Sequence, residues 1–202
     1  MTIDLYTFPT PNGYKPSILL EELGMPYAIH RVDIGAGEQF KPEYLAINPN
    51  GKIPAIADRE TGLTIFESGA ILLYLAEKAN QFLPSDPAGR WAATQWLFFQ
   101  VAGVGPMFGQ LGHFMNSASE PIPYAMQRYE QESQRLLGVL DRVLEKNKYI
   151  AGDYSIADIA TFPWVAVYED LELDLDDYPN VARWLDAVLA RPAVKKGMSA
   201  LG

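Results

Sequence analysis

Cysteine is absent from all 202 residues. Disulfide stabilisation is therefore excluded, as is any redox cycle run on a protein dithiol. If the chain performs thiol chemistry, the sulfur arrives with a ligand. Histidine is scarce as well: His30 and His113 stand far apart, and with no thiolate beside them they make a poor metal set, so no metal is expected. Positive charge is short, with 16 Lys and Arg against 25 Asp and Glu and a formal net charge of -9. That balance argues against nucleic acid, whose affinity rests on many Lys and Arg contacts to phosphate. It also requires that an anionic ligand be drawn in by local basic groups rather than by the whole field. No apolar run reaches membrane-spanning length, so no membrane partner is expected. Met1-Thr2-Ile3-Asp4-Leu5 shows no basic region followed by an apolar stretch; no signal peptide is expected, and a cytoplasmic location follows. The acidic stretch from Glu169 to Asp177 lacks the glycine and spacing of a calcium loop and reads as a solvated surface loop.

What is present is ordinary globular material, 49% hydrophobic and 20% charged, enough for one large domain or two small ones. Ile3 to Phe8 favours a buried strand. Pro9-Thr10-Pro11-Asn12-Gly13 breaks it, and Lys15-Pro16-Ser17 is expected to start a helix whose apolar face is Ile18, Leu19, Leu20 and Leu23. Gly24 ends that helix, and Tyr27 to Val32 supplies a second strand, giving a right-handed parallel βαβ unit. Asn50-Gly51 is a turn signal before a short strand from Pro54 to Ala57, and Glu60-Thr61-Gly62 turns the chain into Leu63-Thr64-Ile65-Phe66. Pro54 lacks an N–H and so marks where its strand begins, leaving the backbone of Ile53 able to pair outside the sheet. Ser68 is expected to be the N-cap of a helix built on Ile71, Leu72 and Leu75, and a helix start favours a ligand carboxylate.

Phe82 to Gly89 reads as a linker, after which strand signals largely vanish. Arg90 to Phe114 is expected to be one long aromatic helix, bent or interrupted at Gly103, Gly105, Pro106 and Gly109. Pro121 to Lys148 is a second long helix. Ser155 with Asp158 forms a variant capping box before a buried helix kinked at Pro163, and Pro179 starts a last helix running to Arg191-Pro192. The expected architecture is thus an α/β N-terminal thioredoxin-like domain over 1–81, a linker over 82–89 and an all-α C-terminal domain over 90–202.

Asn48-Pro-Asn-Gly-Lys-Ile-Pro-Ala55 followed by Phe66-Glu-Ser-Gly-Ala-Ile-Leu-Leu-Tyr-Leu75 resembles the glutathione-binding half of the glutathione transferases. The Ser155–Asp158 pattern extends the likeness to nearly the whole chain. Thr-Pro-Asn after the first strand is similar to the nu-class enzymes, glutathione-dependent disulfide-bond oxidoreductases. The resemblance implies a cis Ile53–Pro54 bond, glutathione (reduced or oxidised) as bound co-substrate, no metal, and a homodimer. It carries over residue by residue: Thr10 and Asn12 to the glutathione sulfur, Gln39 to the glycyl carboxylate, Lys52 and Ile53 before Pro54 to the cysteinyl part, and Glu67 with Ser68 to the γ-glutamyl end. Arg128 matches a helical-domain arginine that reaches glutathione, within or across subunits. Tyr6 is a poor candidate for a transferase tyrosine because it sits inside a strand; Tyr14 is a closer rival to Thr10. In Gln110-Leu-Gly-His-Phe114, where members of the class often carry two histidines, only His113 stands, which leaves the second-substrate side open.

The expected function is reduction of a small disulfide, or of a peroxide, by the thiolate of bound glutathione. The alternatives are conjugation of glutathione to an electrophile, and a non-catalytic glutathione-binding regulatory protein. A free thiol has a pKa near ~8.5. A hydrogen bond to a charged group is worth roughly 1.5–3 kcal/mol, and one pKa unit corresponds to about 1.4 kcal/mol. One or two donors from Thr10 and Asn12 therefore suffice to bring a bound thiol close to half ionised, with no protein base.

Overall fold

A computed structural model describes residues 2–202, which divide into two compact units, 2–83 with 190–202, and Pro84–Leu189. The first is built on a four-stranded sheet. Strand β1 (Ile3–Thr7) is followed by helix α1 (Pro11–Glu22), β2 (Tyr27–Arg31), a 3-10 turn at Glu38–Phe40, the short helix α2 (Pro42–Leu45), the hairpin β3 (Ala55–Asp58) and β4 (Thr64–Phe66), and α3 (Ser68–Ala79). Spatial order is β2-β1-β3-β4. β1 is parallel to β2 and antiparallel to β3, which pairs antiparallel with β4. Ile3 and Leu5 alternate with Asp4 and Tyr6 along β1, as a strand with two different faces requires; both apolar residues are fully buried, with Ile18, Leu19, Leu20, Ile71, Leu72 and Leu75 from α1 and α3. Asp58 closes the hairpin onto α3: its carboxylate accepts from the Tyr74 hydroxyl at 2.6 Å and pairs with Lys78 at 2.7 Å. Burial pushes that carboxyl up, but Lys78 and Tyr74 outweigh it and hold it at about 2.

Two boundaries differ from expectation, and both matter for the site. α1 starts at Pro11, four residues before Lys15, because Thr10 is an extended N-cap whose side chain accepts from the Gly13 N–H. Pro11 fills the first helical position, where a missing N–H costs nothing, and Pro16 is carried inside the helix. The segment expected to be a loop is therefore the helix's first turn. α3 begins at Ser68 itself, and the N-cap position is Glu67, with φ 70 and ψ 116 and no side-chain cap bond. A non-glycine residue held at positive φ costs of order 1–3 kcal/mol; β4 on one side and α3 on the other impose it.

The second unit is helical: α4 (Pro87–Phe99), a π-helical turn at Gln100–Val104, α5 (Gly105–Asn116), α6 (Pro123–Leu144), α7 (Ile156–Val165), a 3-10 turn at Glu169–Leu171, and α8 (Pro179–Leu189). The long aromatic helix expected from Arg90 onward is interrupted where its glycines and proline suggested: α4 and α5 run on through the π turn, which contains Gly103 and ends just before Gly105 and Pro106, whose missing N–H prevents a regular ladder. α4 also begins earlier, capped by Asp86, inside the stretch read as linker. Asp158 organises the unit. It completes the capping box with Ser155 and its carboxylate accepts from Ile150 N at 3.0 Å, Ser155 N at 3.0 Å and the Trp184 indole Nε1 at 2.8 Å. Burial pushes this carboxyl up to about 6 against the pull of those three donors. The acidic stretch is not merely solvated surface: Leu171, Leu173 and Leu175 are buried while Glu172, Asp174 and Asp176 between them are exposed, so the acids are one side of an alternating segment whose other side packs inward.

The chain then adds a helix that the sequence reading ended short of, α9 (Pro192–Ser199), which belongs to the first unit. It packs on α1 so closely that a Cβ on Gly197 would lie 2.6 Å from Ile18 Cα. Ser17 donates to the Gly197 carbonyl at 2.8 Å, and Arg191 and Lys196 pair with Glu22 and Glu21 at 2.6 Å each. Among the described residues no helix is long and apolar enough to cross a membrane.

Replacing Asp158 by Ala strands three N–H donors, each costing about 1–3 kcal/mol when left without an acceptor in the interior. Denaturant unfolding followed by far-UV circular dichroism should therefore show a loss of at least about 3 kcal/mol. A loss below about 1 kcal/mol would show that Asp158 is not the organising acceptor of the second unit.

Candidate functional site

The register of the sheet brings several of the sequence-predicted residues of the first unit to one edge. Tyr6 on β1 lies opposite Ala55 on β3, which lies opposite Phe66 on β4. One residue further, Thr7 ends β1, Pro54 precedes β3 and Glu67 follows β4. Thr10, Ile53–Pro54 and Glu67–Ser68 therefore gather where two helices also begin, α1 after β1 and α3 after β4. The two helix starts are joined by a hydrogen bond of 3.2 Å from Lys15 Nζ to Ser68 Oγ.

Each part is held by identifiable contacts. Thr10 Oγ1 accepts from Gly13 N at 3.1 Å, so its own O–H proton is not consumed in the cap and can be donated outward. Gly13 is required by close approach: a Cβ there would sit 2.0 Å from the Phe8 carbonyl oxygen and 2.7 Å from Thr7 Oγ1. Asn12 lies in the first turn of α1 and is half-buried. The Ile53–Pro54 bond is cis. The carbonyl just before it, that of the exposed Lys52, accepts two hydrogen bonds of 2.6 Å, from the Tyr44 hydroxyl and from Asn48 Nδ2, which fixes the strand entry from behind. Gln39 lies in the 3-10 turn against Gly51, and its buried Oε1 finds no hydrogen-bond partner among the described residues. Glu67 is exposed and Ser68 buried. Lys15 is 1% exposed; burial lowers its pKa to about 7, with the Glu67 carboxylate pulling it back up. Among the described residues no group of three His, Asp or Glu could hold a metal ion.

Residues 1–77 match the family model of the glutathione S-transferase N-terminal domain, and residues 94–192 that of the glutathione S-transferase C-terminal domain. The chain belongs to the glutathione S-transferase family. Among its relatives, the disulfide-bond oxidoreductase YfcG of Escherichia coli is 49% identical over 97% of this chain and 94% of its own length. Disulfide-bond oxidoreductase YghU of the same organism is 44% identical over 96% of this chain and 73% of its own. A glutathione transferase from Pseudomonas putida, solved with one glutathione disulfide bound per subunit, superposes with a TM-score of 0.93 at 46% identity, covering 100% of this chain and 92% of that one. Another from Burkholderia graminis, solved with two glutathione molecules bound per subunit, gives 0.93 at 50% identity over 98% and 88% of the two chains.

The remaining candidates have the following places in the fold. Arg128 is in the second unit, on an exposed part of α6, where the neighbouring Glu132 pairs with Arg135 at 2.7 Å. His113 is exposed near the end of α5, its ring edge-on to Phe114. Tyr14 is half-buried in α1, and Tyr6 stacks on His30 on the sheet. Sequence reasoning missed Lys15, Tyr44 and Asn48. Lys15 was findable: once α1 is started at Pro11, Lys15 lies three and four residues before Ile18 and Leu19, on the buried stripe, where a lysine needs a purpose.

Proposed function

We propose that this protein is a glutathione-dependent disulfide-bond oxidoreductase of the nu-class kind, which reduces small disulfides with the thiolate of bound glutathione. The observation that carries the proposal is Thr10: at the sheet edge where β3 and α3 also begin, its hydroxyl caps α1 as an acceptor and keeps a proton to give. The names of YfcG and YghU, and the solved relatives holding two glutathione molecules or glutathione disulfide, support the same reading. Thr10 and Asn12 hold the sulfur as thiolate, Gln39 faces the glycyl carboxylate, Ile53 pairs with the cysteinyl backbone beside Lys52 and Pro54, and Glu67 and Ser68 take the γ-glutamyl end. The thiolate attacks one sulfur of the substrate disulfide, the S–S bond breaks, and the leaving thiolate takes a proton. A second glutathione thiolate attacks the resulting mixed disulfide, releasing the other substrate thiol and forming glutathione disulfide, so two electrons pass from two glutathione molecules to the substrate. No protein sulfur takes part, since the chain has none. Organic peroxides are accepted by the same thiolate; conjugation to an electrophile is the second reading, supported by the family and distinguished by substrate assays.

The protein acts as a two-fold homodimer in the cytoplasm, with Arg128 contributing to the glutathione site. Support for the dimer comes from α4, whose Trp91 and Phe98 are 68% and 58% exposed and lie two turns apart on one side of the helix, an apolar stripe of the kind that interfaces cover.

Replacing Thr10 and Asn12 together by Ala should move the pH–rate profile of glutathione-dependent disulfide reduction alkaline by roughly one to two units, with rate recovered at high pH. Because Thr10 also caps α1, the Ala variant should lose about 1 kcal/mol of stability, so Thr10→Ser serves as control and should keep both stability and profile. A double variant with the wild-type profile would reduce these residues to a helix cap and pass the role to Tyr14. Sedimentation at micromolar concentration should give about twice the mass of the chain; a monomer there would remove the dimer and any cross-subunit role for Arg128.

A further inference from the structure

Lys15 is a lysine with 1% exposure in a chain whose surface could have carried it at no cost. Burying an ammonium is unfavourable unless it is paired and hydrogen-bonded. Two adjacent residues at the start of α3 act on it: Nζ donates to Ser68 Oγ at 3.2 Å, and the Glu67 carboxylate acts on its charge. An ammonium has protons to give and no lone pair to accept with. Ser68 must therefore receive the bond, and its single hydroxyl proton is directed to something else. Glu67, beside it, is exposed and kept at φ 70. A carboxylate next to a hydroxyl turned donor by a buried cation matches a ligand end that carries an ammonium and a carboxylate on one carbon.

From this geometry we propose that Lys15 is a positioning residue that makes the γ-glutamyl subsite selective for a free α-carboxylate, by holding Ser68 as an acceptor and supplying the buried positive charge behind it. The inference rests on the reading that Glu67 and Ser68 face the γ-glutamyl end, and adds what that end must carry. It also explains how a chain of net charge -9 receives a multiply anionic peptide: the attraction is local.

Burial lowers the Lys15 pKa to about 7 in the free protein, and a carboxylate brought near raises it again. Binding should then take up a proton, with affinity falling as pH rises above 7. Other charged groups around α1 are engaged elsewhere. Arg191, at the N-cap of α9, and Lys196 within that helix pair with Glu22 and Glu21 about two turns along, and Asp4 of β1 is held by Arg59 and His30.

The test is calorimetry on the full chain with S-methylglutathione, which has no titrating thiol, and with its analogue carrying γ-aminobutyryl in place of γ-glutamyl, which keeps the amine but lacks the α-carboxylate. Wild type should bind the parent at least tenfold more tightly than the analogue. In buffers of different ionisation heat it should take up roughly half a proton at pH 7 and nearly one at pH 8. Lys15→Met, a change of similar shape that removes a buried charge, should weaken the parent tenfold or more, leave the analogue within about twofold, and abolish the proton uptake. Equal losses for both ligands, or wild-type binding without proton uptake, would overturn the proposal while leaving the glutathione site in place. If S-methylglutathione fails to bind wild type at all, the site reading itself falls, and the inference with it. Should Lys15→Met not fold, the wild-type selectivity and proton count decide alone.

Discussion

β1 pairs parallel with β2 on one side and antiparallel with β3 on the other, and the site depends on that mixed pairing. The parallel side demands a crossover helix, which places the start of α1 at the carboxyl end of β1. The antiparallel side brings the entry of β3 to that same end, and the hairpin returns β4 and the start of α3 beside it. A sheet paired in one sense only would separate these parts. Pro54 contributes by ending the ladder where it does, and Glu67 by accepting an unfavourable backbone conformation that a glycine would hold more cheaply.

Much of this was legible in residue patterns. The hairpin was marked by its turn residues and by a proline that could not sit in a ladder, and the buried α7 by Ser155 and Asp158 at capping-box spacing. Pattern failed where tertiary contact overrides local preference. α1 reaches back to Pro11 because Gly13 lets the helix start press against Thr7 and Phe8, information held in a contact rather than in the turn-forming string Pro-Asn-Gly. Placing that start four residues late hid Lys15 from the buried stripe. α9 lies beyond Arg191-Pro192, which reads as an ending, and is held by Gly197 against Ile18 and by pairs to Glu21 and Glu22, all distant in sequence. The acidic run around Asp174 was read by charge alone, while its alternate leucines carried the packing.

The chemistry proposed follows from what the chain contributes and what it leaves to the ligand. With no cysteine, the protein supplies donors, alignment and a local field. Thr10 serves twice, as acceptor to the helix it caps and as donor to a sulfur, because a hydroxyl can do both at once. Ser68 is arranged in the same way by Lys15. In each case the fold uses the acceptor side of a hydroxyl and leaves the proton for an anion, which suits a site whose co-substrate carries a thiolate and carboxylates.

The central claim is that one edge of this sheet holds glutathione with its sulfur at Thr10. A crystal structure of the protein soaked with glutathione disulfide tests it most directly. The account predicts the γ-glutamyl end of one glutathione unit at Glu67 and Ser68, its cysteinyl backbone paired with Ile53, and its sulfur within hydrogen-bond distance of Thr10 Oγ1. A glutathione disulfide bound with its sulfur away from Thr10, or with Tyr14 as the group touching that sulfur, would contradict it.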